Sequence, residues 1–312
     1  MILQTSIQIS PFSQKINYRT PTLFIGSCFA SNIGKMMWKR KFPVIINPFG
    51  TVYNPLSVAQ SLRRLRKNEL FTKKDLIKSG DLFTTFFHHS VFSHPDEDTF
   101  LQEANNALQQ GAILLHNAPF IVISLGTSWV YWHKASCRIV NNCHKIPASA
   151  FERKKLSVSE IVEVLSQEIA ADPARTWIFT VSPIRHWKDG AHENQLSKAN
   201  LLLAVEQLQQ HFTNVFYFPA YEIMMDELRD YRFYAEDMLH PSEQAVEYIW
   251  ERFAETAFDN ETRKTMAEIE KIVAAQQHRS LHTDTPSYKQ FSRNLQQKIK
   301  QFKEQFPFIE ID

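Results

Sequence analysis

Two segments that lie far apart in the sequence carry the side chains of a nucleophile and its base. Ser27 follows Gly26 near the start of the chain, and Asp237 lies three residues before His240 near its end. A serine hydroxyl attacks a carbonyl when an imidazole takes its proton and a carboxylate holds that imidazole in the right tautomer. The three side chains therefore fit acyl transfer. On these residues alone, a helix-capping Ser27 and a structural Asp237–His240 loop remain open alternatives.

The segment around Ser27 has the pattern of a strand, a tight turn and a helix. Residues 22–25 are an apolar run that ends at Gly26, which predicts a buried strand followed by a sharp turn. From Phe29 onward, apolar residues recur at helical spacing. Ser27 is therefore expected at the carboxyl end of a strand and beside a helix N-terminus, where open α/β sheets bind ligands.

The segment 236–241 is predicted to be a loop between the last strand and the last large helix of the main domain. Pro241 restrains His240 from helical geometry. The imidazole is therefore expected to point back toward the edge of the sheet, with Asp237 fixed nearby by the short spacing.

Short apolar runs alternate with amphipathic helices along most of the chain. This alternation predicts a three-layer α/β/α fold with a doubly wound, parallel five-stranded sheet of flavodoxin-like topology. The turns after the strands should then gather along one edge of the sheet. Strands are predicted at 22–26, 43–46, 120–124, 176–181 and 215–218, and the strand-end turns at 26, 47–50, 125–128, 182–186 and 235–241.

The sequence divides into a main domain over residues 1–260 and a helical extension over 261–312. The extension has two long polar helices, each with a narrow apolar stripe. Such a stripe packs either across the main domain or against another subunit, so a homo-oligomer is one expectation. Within the main domain, residues 80–95 and the irregular segment 129–155 are expected to be excursions that could cover a pocket.

The strand-end turns also carry groups that could bind a developing oxyanion or hold a substrate. Amide N–H groups and hydroxyls aimed at the carbonyl oxygen stabilise the charge that forms there. Ordinary turn chemistry is the open alternative at each position. The candidate oxyanion donors are Ser27, Gly50, Thr127 and Ser128, and the candidate substrate-binding residues are Asn47, His144, Arg185 and His186.

Three of the neighbouring side chains have more than one interpretation. Arg185 and His186 follow the fourth strand, where they could bind an anionic substrate group or instead cap helices and pair with Asp189. Cys28 could replace Ser27 as the nucleophile. Since the residue after a strand-to-helix turn normally turns toward the core, buried packing is the prediction for Cys28.

Composition excludes several classes of protein. The 312 residues include 35 Lys+Arg and 33 Asp+Glu, a formal charge of +2, so no dedicated nucleic-acid surface is expected. Three cysteines without metal-type or thioredoxin-type spacing argue against a disulfide framework and for a reducing compartment. The chain lacks a signal-peptide pattern and a long apolar run, so a cytoplasmic protein without a membrane span is expected. No cofactor or metal site is predicted.

Several motifs resemble the bacterial GSCFA family, within the SGNH (GDSL-like) hydrolase superfamily. The five residues 26–30 read Gly-Ser-Cys-Phe-Ala, and a glycine turn follows each of the first three predicted strands. The resemblance implies Ser27 as nucleophile, Asp237 and His240 as its partners, and Gly50 as an oxyanion donor. Two positions depart from the superfamily pattern: Gly26 stands where an acidic residue precedes the nucleophile, and Ser128 stands where an asparagine donates to the oxyanion.

The sequence therefore supports two hypotheses of function. The first is a serine hydrolase or acyltransferase that acts on a small-molecule or carbohydrate ester, including O-acylated sugars, through an acyl-enzyme. The second is a non-catalytic binding or scaffold protein on a degenerate fold of the same kind, which the missing asparagine at position 128 motivates.

Overall fold

The structure is a computed structural model that describes residues 4–277 and 285–311. The strands are β1 (Thr22–Gly26), β2 (Val44–Ile46), β3 (Ile77–Ser79), β4 (Leu82–Thr84), β5 (Phe120–Leu125), β6 (Trp129–His133), β7 (Arg138–Val140), β8 (Phe151–Lys155), β9 (Thr176–Val181) and β10 (Val215–Tyr217). The helices are α1 (Cys28–Lys39), α2 (Pro55–Lys67), α3 (Glu97–Asn117), α4 (Val158–Ala171), α5 (Ala191–His211), α6 (Ala220–Glu222), which a π-helical segment Ile223–Glu227 continues, α7 (Glu243–Ala257), α8 (Asn260–Gln277) and α9 (Pro286–Gln305).

Five strands form one sheet in the order β10-β9-β5-β1-β2, and all four pairings are parallel. The predicted parallel α/β/α fold is thereby confirmed. The chain leaves β1 toward β2 on one side and later returns to place β5 on the other side. The order therefore reverses between β1 and β5, and a crevice opens at this point beyond the carboxyl ends of the strands.

Each face of the sheet carries its own apolar core. On β1, Leu23 and Ile25 point into one core, which helices α2 to α5 complete, whereas Phe24 points into the other, which α1 and α7 complete. The alternation follows from the two-residue repeat of a strand, and burial on both faces requires the uninterrupted apolar run seen in the sequence.

The C-terminal helices pack on the second of these cores. Ile269 and Ile272 of α8 and Phe302 of α9 are buried in the same cluster as Trp250 of α7. Arg40 stacks on the Trp250 ring at 4.8 Å and pairs with Glu247 at 3.1 Å. The sequence left open whether the apolar stripes of the two helices pack on the main domain or on another subunit. In the structure both stripes contact the main α/β unit.

The prediction that residues 129–155 are irregular is wrong. These residues form an antiparallel three-stranded sheet in the order β7-β6-β8. The usual strand signal was hidden because bulky aromatic residues occupy both faces of β6, where Val130 is buried while Tyr131 and Trp132 are partly exposed. The excursion 80–95 begins in a short β3–β4 hairpin.

Candidate active site

Ser27 caps helix α1 at the crevice between β1 and β5. Its Oγ accepts a hydrogen bond from the Phe29 amide at 3.2 Å and lies 2.8 Å from the Ser124 Oγ. The Ser27 amide donates to the Ser124 carbonyl at 2.9 Å. Only 2% of the residue is exposed. Both the amide and the hydroxyl are thus tied to the end of β5.

Gly26 must be a glycine for two independent reasons. Its φ of 138° lies in a region that residues with a Cβ rarely adopt. A Cβ at this position would also overlap the backbone of Ser124, with the carbonyl oxygen as the nearest atom. No acidic side chain therefore fits at position 26, because its Cβ would overlap the backbone of β5.

Asn47 braces this turn from the neighbouring strand. It has a φ of 46°, and its Oδ1 accepts from the Gly26 amide at 2.7 Å while its Nδ2 donates to the Ser31 Oγ at 2.8 Å. Both ends of the side chain are thus used by protein groups. Asn47 positions the Ser27 turn and does not line the cleft described below.

Asp237 and His240 form a preassembled pair on the loop before α7. The His240 Nδ1 lies 2.6 Å from Asp237 Oδ2, and the amides of Leu239 and His240 both donate to Asp237 Oδ1 at 2.9 Å. These bonds from the His240 amide, the Leu239 amide and the His240 ring lower the pKa of Asp237 to about 2. Asp237 is therefore a carboxylate at neutral pH, and it orients the imidazole with Nε2 left for other partners.

A cleft of about 330 Å³ joins the two segments. Ser27, Cys28 and His240 all line it, so the nucleophile and base candidates from the two ends of the sequence face one space. No hydrogen bond joins Ser27 to His240 among the described residues, and the partners of Ser27 Oγ are the Ser124 hydroxyl and the Phe29 amide. The cleft is also lined by Tyr53, Asn54, Thr127, Trp129, Tyr131, Val140, Asn141, Arg153, Ser182, Ile184, Arg185, His186, Lys188 and Asp189.

The amides at three of the candidate oxyanion positions already have acceptors, although only the hydroxyl of Thr127 was the predicted donor there. The Gly50 amide donates to the Asn47 carbonyl at 2.7 Å, as the Ser27 amide does to Ser124. The amide of Thr127 donates to the Tyr53 carbonyl at 2.9 Å. These bonds close the turns and leave none of the three amides free for a substrate oxygen.

The two hydroxyls suggested as donors face helix α5. Thr127 Oγ1 lies 3.0 Å from Ser197 Oγ, and Ser128 Oγ donates to the same atom at 3.2 Å. Thr127 still lines the cleft, whereas Ser128 is fully buried away from it. Ser128 therefore brings neither a free hydroxyl nor a side-chain amide to the cleft.

Asn54, which was not among the residues predicted from sequence, brings a side-chain amide to the cleft. It caps helix α2, and its Oδ1 accepts from the Ser57 amide at 2.9 Å. The residue is 5% exposed and lines the cleft, and its Nδ2 has no hydrogen-bond partner among the residues described. The Asn54-Pro55 pair is a strong helix-start signal. An asparagine that only caps a helix gives the same signal, so the sequence does not show that Nδ2 is free to donate to a ligand.

Arg185 and His186 both line the cleft, but only one of them is a cation there. Burial, followed by the charges of Lys198 and His240, lowers the pKa of His186 to about 4, so this ring is neutral at neutral pH. The Arg185 guanidinium contacts Met225 Sδ at 3.2 Å and forms no ion pair with any described residue. Asp189 pairs with Arg153 instead of Arg185.

His144 does not reach the cleft. It is buried, has a φ of 49°, and its Nε2 donates to the Thr85 carbonyl at 2.8 Å. It ties the segment after β7 to the turn after β4. His144 was a candidate substrate-binding residue, and this geometry instead gives it a structural role outside the cleft.

A buried lysine holds the floor of the cleft together. Lys198 of α5 is 1% exposed, and its Nζ donates to the carbonyls of Gly126 at 2.7 Å and Ser182 at 2.6 Å. Burial, with Arg185 nearby, lowers its pKa to about 7. The ammonium thus links the ends of β5 and β9. No sequence signal distinguishes it from an exposed lysine on an amphipathic helix.

Comparison with known families decides where the chain belongs. The profile of the GSCFA family matches residues 21–253, and that of the GSCFA domain protein, C-terminal domain matches residues 269–312. The chain belongs to the GSCFA family. Comparison with curated proteins gives no match.

The five residues behind the GSCFA name have separate physical roles in this chain. Gly26 ends β1 with a positive φ that glycine adopts readily and other residues rarely adopt, and Ser27 caps the helix that follows. Phe29 and Ala30 are buried in the first turn of α1. Cys28 was expected to be buried, but it is half-buried and lines the cleft, with its Sγ 3.7 Å from the Tyr53 hydroxyl. Its position at the first residue of α1 turns it outward.

None of the helices within the described ranges is long and apolar enough to cross a membrane. Over the same residues, no group of three or more His, Cys, Asp or Glu side chains is arranged to hold a metal ion.

Proposed function

We propose that this GSCFA protein is an SGNH-type serine hydrolase or acyltransferase that acts on a small-molecule or carbohydrate ester. One observation carries the proposal: Ser27 and the Asp237-oriented His240, far apart in sequence, line the same cleft. A buried hydroxyl at a helix N-terminus, in one cleft with an oriented imidazole, is the arrangement that nucleophilic acyl transfer needs.

In the proposed reaction, Ser27 Oγ attacks the ester carbonyl while His240 Nε2 takes the hydroxyl proton. The tetrahedral intermediate collapses when the bond to the ester oxygen breaks, and His240 gives its proton to the departing alcohol. Water or an acceptor alcohol then attacks the acyl-serine, loses its proton to His240, and releases Ser27 with that proton. Asp237 remains a carboxylate throughout and stabilises the imidazolium.

Asn54 is the proposed donor to the oxyanion. Its carbonyl end is fixed by the Ser57 amide, so its Nδ2 has a set direction and needs no reorganisation. The amides of Ser27, Gly50 and Thr127 are bonded to protein acceptors, and the Ser128 hydroxyl donates to Ser197. On substrate binding the Ser27 hydroxyl must exchange its bond with Ser124 for one with His240, in keeping with active-site bonds that form only in the substrate complex.

The non-catalytic binding protein remains the second candidate. It is favoured by the bonds that hold Ser27 Oγ on Ser124 and Phe29 in this structure. Under that function the cleft binds a ligand and Ser27 serves only as the cap of α1.

The proposed function is tested with a fluorophosphonate probe and with turnover of short-chain nitrophenyl esters and acetylated sugars. We expect covalent labelling that peptide mapping assigns to Ser27. A Cys28→Ala protein should label equally, since the thiol is not the nucleophile. Labelling that maps to Cys28, or an absence of both labelling and turnover, would instead favour the cysteine-dependent or the binding alternative.

Replacing Asp237 with asparagine should lower kcat/KM for esters by roughly 10³-fold. The introduced amide oxygen can still accept from the Leu239 and His240 amides, so the loop should keep its shape. The introduced NH₂ group would face His240 Nδ1 and favour the wrong tautomer. Steady-state kinetics and thermal unfolding should therefore show a large loss of activity with a small change in stability. A loss of less than about tenfold would remove Asp237 from the mechanism.

Replacing Asn54 with aspartate separates its two roles. The carboxylate can still cap α2 through the Ser57 amide, but it has no N–H to offer an oxyanion. We expect kcat to fall by about 10²- to 10³-fold, with the melting temperature nearly unchanged. The matched control is Asn54→Ala, which loses cap and donor together and should also lose about 1 kcal/mol of stability. Equal kcat in wild type and Asn54→Asp protein would exclude Asn54 as the donor.

A further inference from the structure

The cleft carries more positive than negative side chains. Arg153, Arg185 and Lys188 line it, against the single carboxylate of Asp189. Arg153 is neutralised by its ion pair with Asp189, and its guanidinium stacks 3.9 Å above the Trp129 ring. Arg185 has no such partner among the described residues, because its Nη2 contacts only the weak acceptor Met225 Sδ. A guanidinium that has lost part of its hydration shell and has no anionic partner carries an uncompensated desolvation free energy.

Arg185 also stands at the boundary of two spaces. It lines the cleft with Ser27 and His240, and it lines a second groove of about 650 Å³ on the other side. Asp237 lies on the second groove while its partner His240 lies on the first. A ligand that extends from the nucleophile into the second groove must therefore pass the guanidinium.

The acidic groups near Arg185 are already engaged. In the second groove Asp237 is bonded to His240, and Asp230 lies 3.8 Å from Arg232. Close to the strand end, Glu222 accepts from the Tyr217 hydroxyl at 2.7 Å. The neighbouring Lys198 is bonded to two carbonyls. The carboxylates that line the two spaces, Asp189, Asp230 and Asp237, therefore have other partners than Arg185.

We propose that Arg185 binds an anionic oxygen group of the substrate, so that the enzyme prefers esters that carry a carboxylate or a phosphate. This inference rests on the proposed function, and it names the substrate class of the same site. Guanidinium pairs with carboxylate and phosphate through two parallel N–H···O bonds, which gives orientation as well as affinity. The anion would fix the ester so that its carbonyl faces Ser27.

The kinetic test compares 4-nitrophenyl hemisuccinate, which is anionic, with neutral 4-nitrophenyl butyrate. In Arg185→Gln protein, kcat/KM for the hemisuccinate should fall about 10- to 100-fold while that for the butyrate changes less than about threefold. The matched control is Arg232→Gln, which removes the same charge from an exposed side chain that does not line the cleft. In this control protein, kcat/KM should be unchanged for both esters. Equal losses for the two esters in Arg185→Gln protein would overturn the proposal.

A binding test keeps this inference separate from the proposed function. Ser27→Ala protein cannot form an acyl-enzyme, so calorimetry can measure its binding of 4-nitrophenyl hemisuccinate and of glucose 6-phosphate without turnover. Adding Arg185→Gln should weaken the tighter of the two by about tenfold or more, and which one is tighter identifies carboxylate or phosphate as the preferred group. Arg185-dependent binding in a protein that hydrolyses no ester would support the anion site while the hydrolase proposal fails. Equal affinities with and without Arg185→Gln would overturn the proposed anion site, whether or not the protein hydrolyses esters.

Discussion

Replacing Ser27 with alanine is expected to lower ester turnover by roughly 10⁵-fold and to abolish fluorophosphonate labelling. The hydroxyl is the only group in the mechanism that forms a bond to the substrate. His240 and Asn54 alone would leave a small residual rate from binding and oxyanion stabilisation. Initial rates on nitrophenyl acetate at high protein concentration, with labelling in parallel, measure both effects.

The structural role of Ser27 must be separated from its chemical role. The Ser27→Ala protein also loses the cap of α1 and the bond to Ser124, which should cost about 1 kcal/mol. The matched control is Ser157→Ala, which removes the cap of α4 outside the cleft. Both proteins should melt at slightly lower temperature, and only the first should lose activity. Undiminished turnover by a folded Ser27→Ala protein would remove Ser27 as the nucleophile.

Replacing Gly26 with alanine is expected to destabilise the protein by about 3 kcal/mol or more. The added Cβ would overlap the Ser124 carbonyl, which belongs to the central strand β5 and cannot move without disturbing the sheet. The φ of 138° adds backbone strain. Urea unfolding should show a lower midpoint. Esterase activity should fall as well, because the same shift displaces Ser27.

Gly80→Ala is the matched control for this substitution. Gly80 also has a positive φ, 63°, but nothing lies within 4 Å of a Cβ placed there. It should cost about 1 kcal/mol, the backbone contribution alone. If the two substitutions prove equally mild, β5 yields to the added methyl group, and sterics do not explain the absence of an acidic residue at position 26.

The sheet was predictable because its strands are buried on both faces. The uninterrupted apolar runs at β1, β5 and β9 arise from that burial and are visible in any such sequence. The antiparallel sheet at 129–155 was not predictable in the same way. Its strands are partly exposed, and their aromatic residues stack with Arg153 and neighbouring rings, so no clean two-residue alternation results.

Candidate site residues could be predicted from sequence only where the residue type itself suggests a chemical role. Ser27, Asp237 and His240 are nucleophile and base candidates by residue type and spacing, and the fold brings Ser27 and the Asp237-bonded His240 to one cleft. Their catalytic roles stay a prediction. Gly50 failed as a free donor because its amide bonds to the Asn47 carbonyl, and such pairing depends on turn geometry that sequence does not specify. Asn54 was hidden because capping a helix requires the same residue type.

Ser27 is synthesised well before His240, although the two line one cleft in the folded protein. A nascent chain on the ribosome therefore carries Ser27 before His240, its proposed base, has been synthesised. Under the proposed function, hydrolytic competence appears only once the loop after β10 has emerged and docked. Chains terminated before His240 would be inert toward cellular esters.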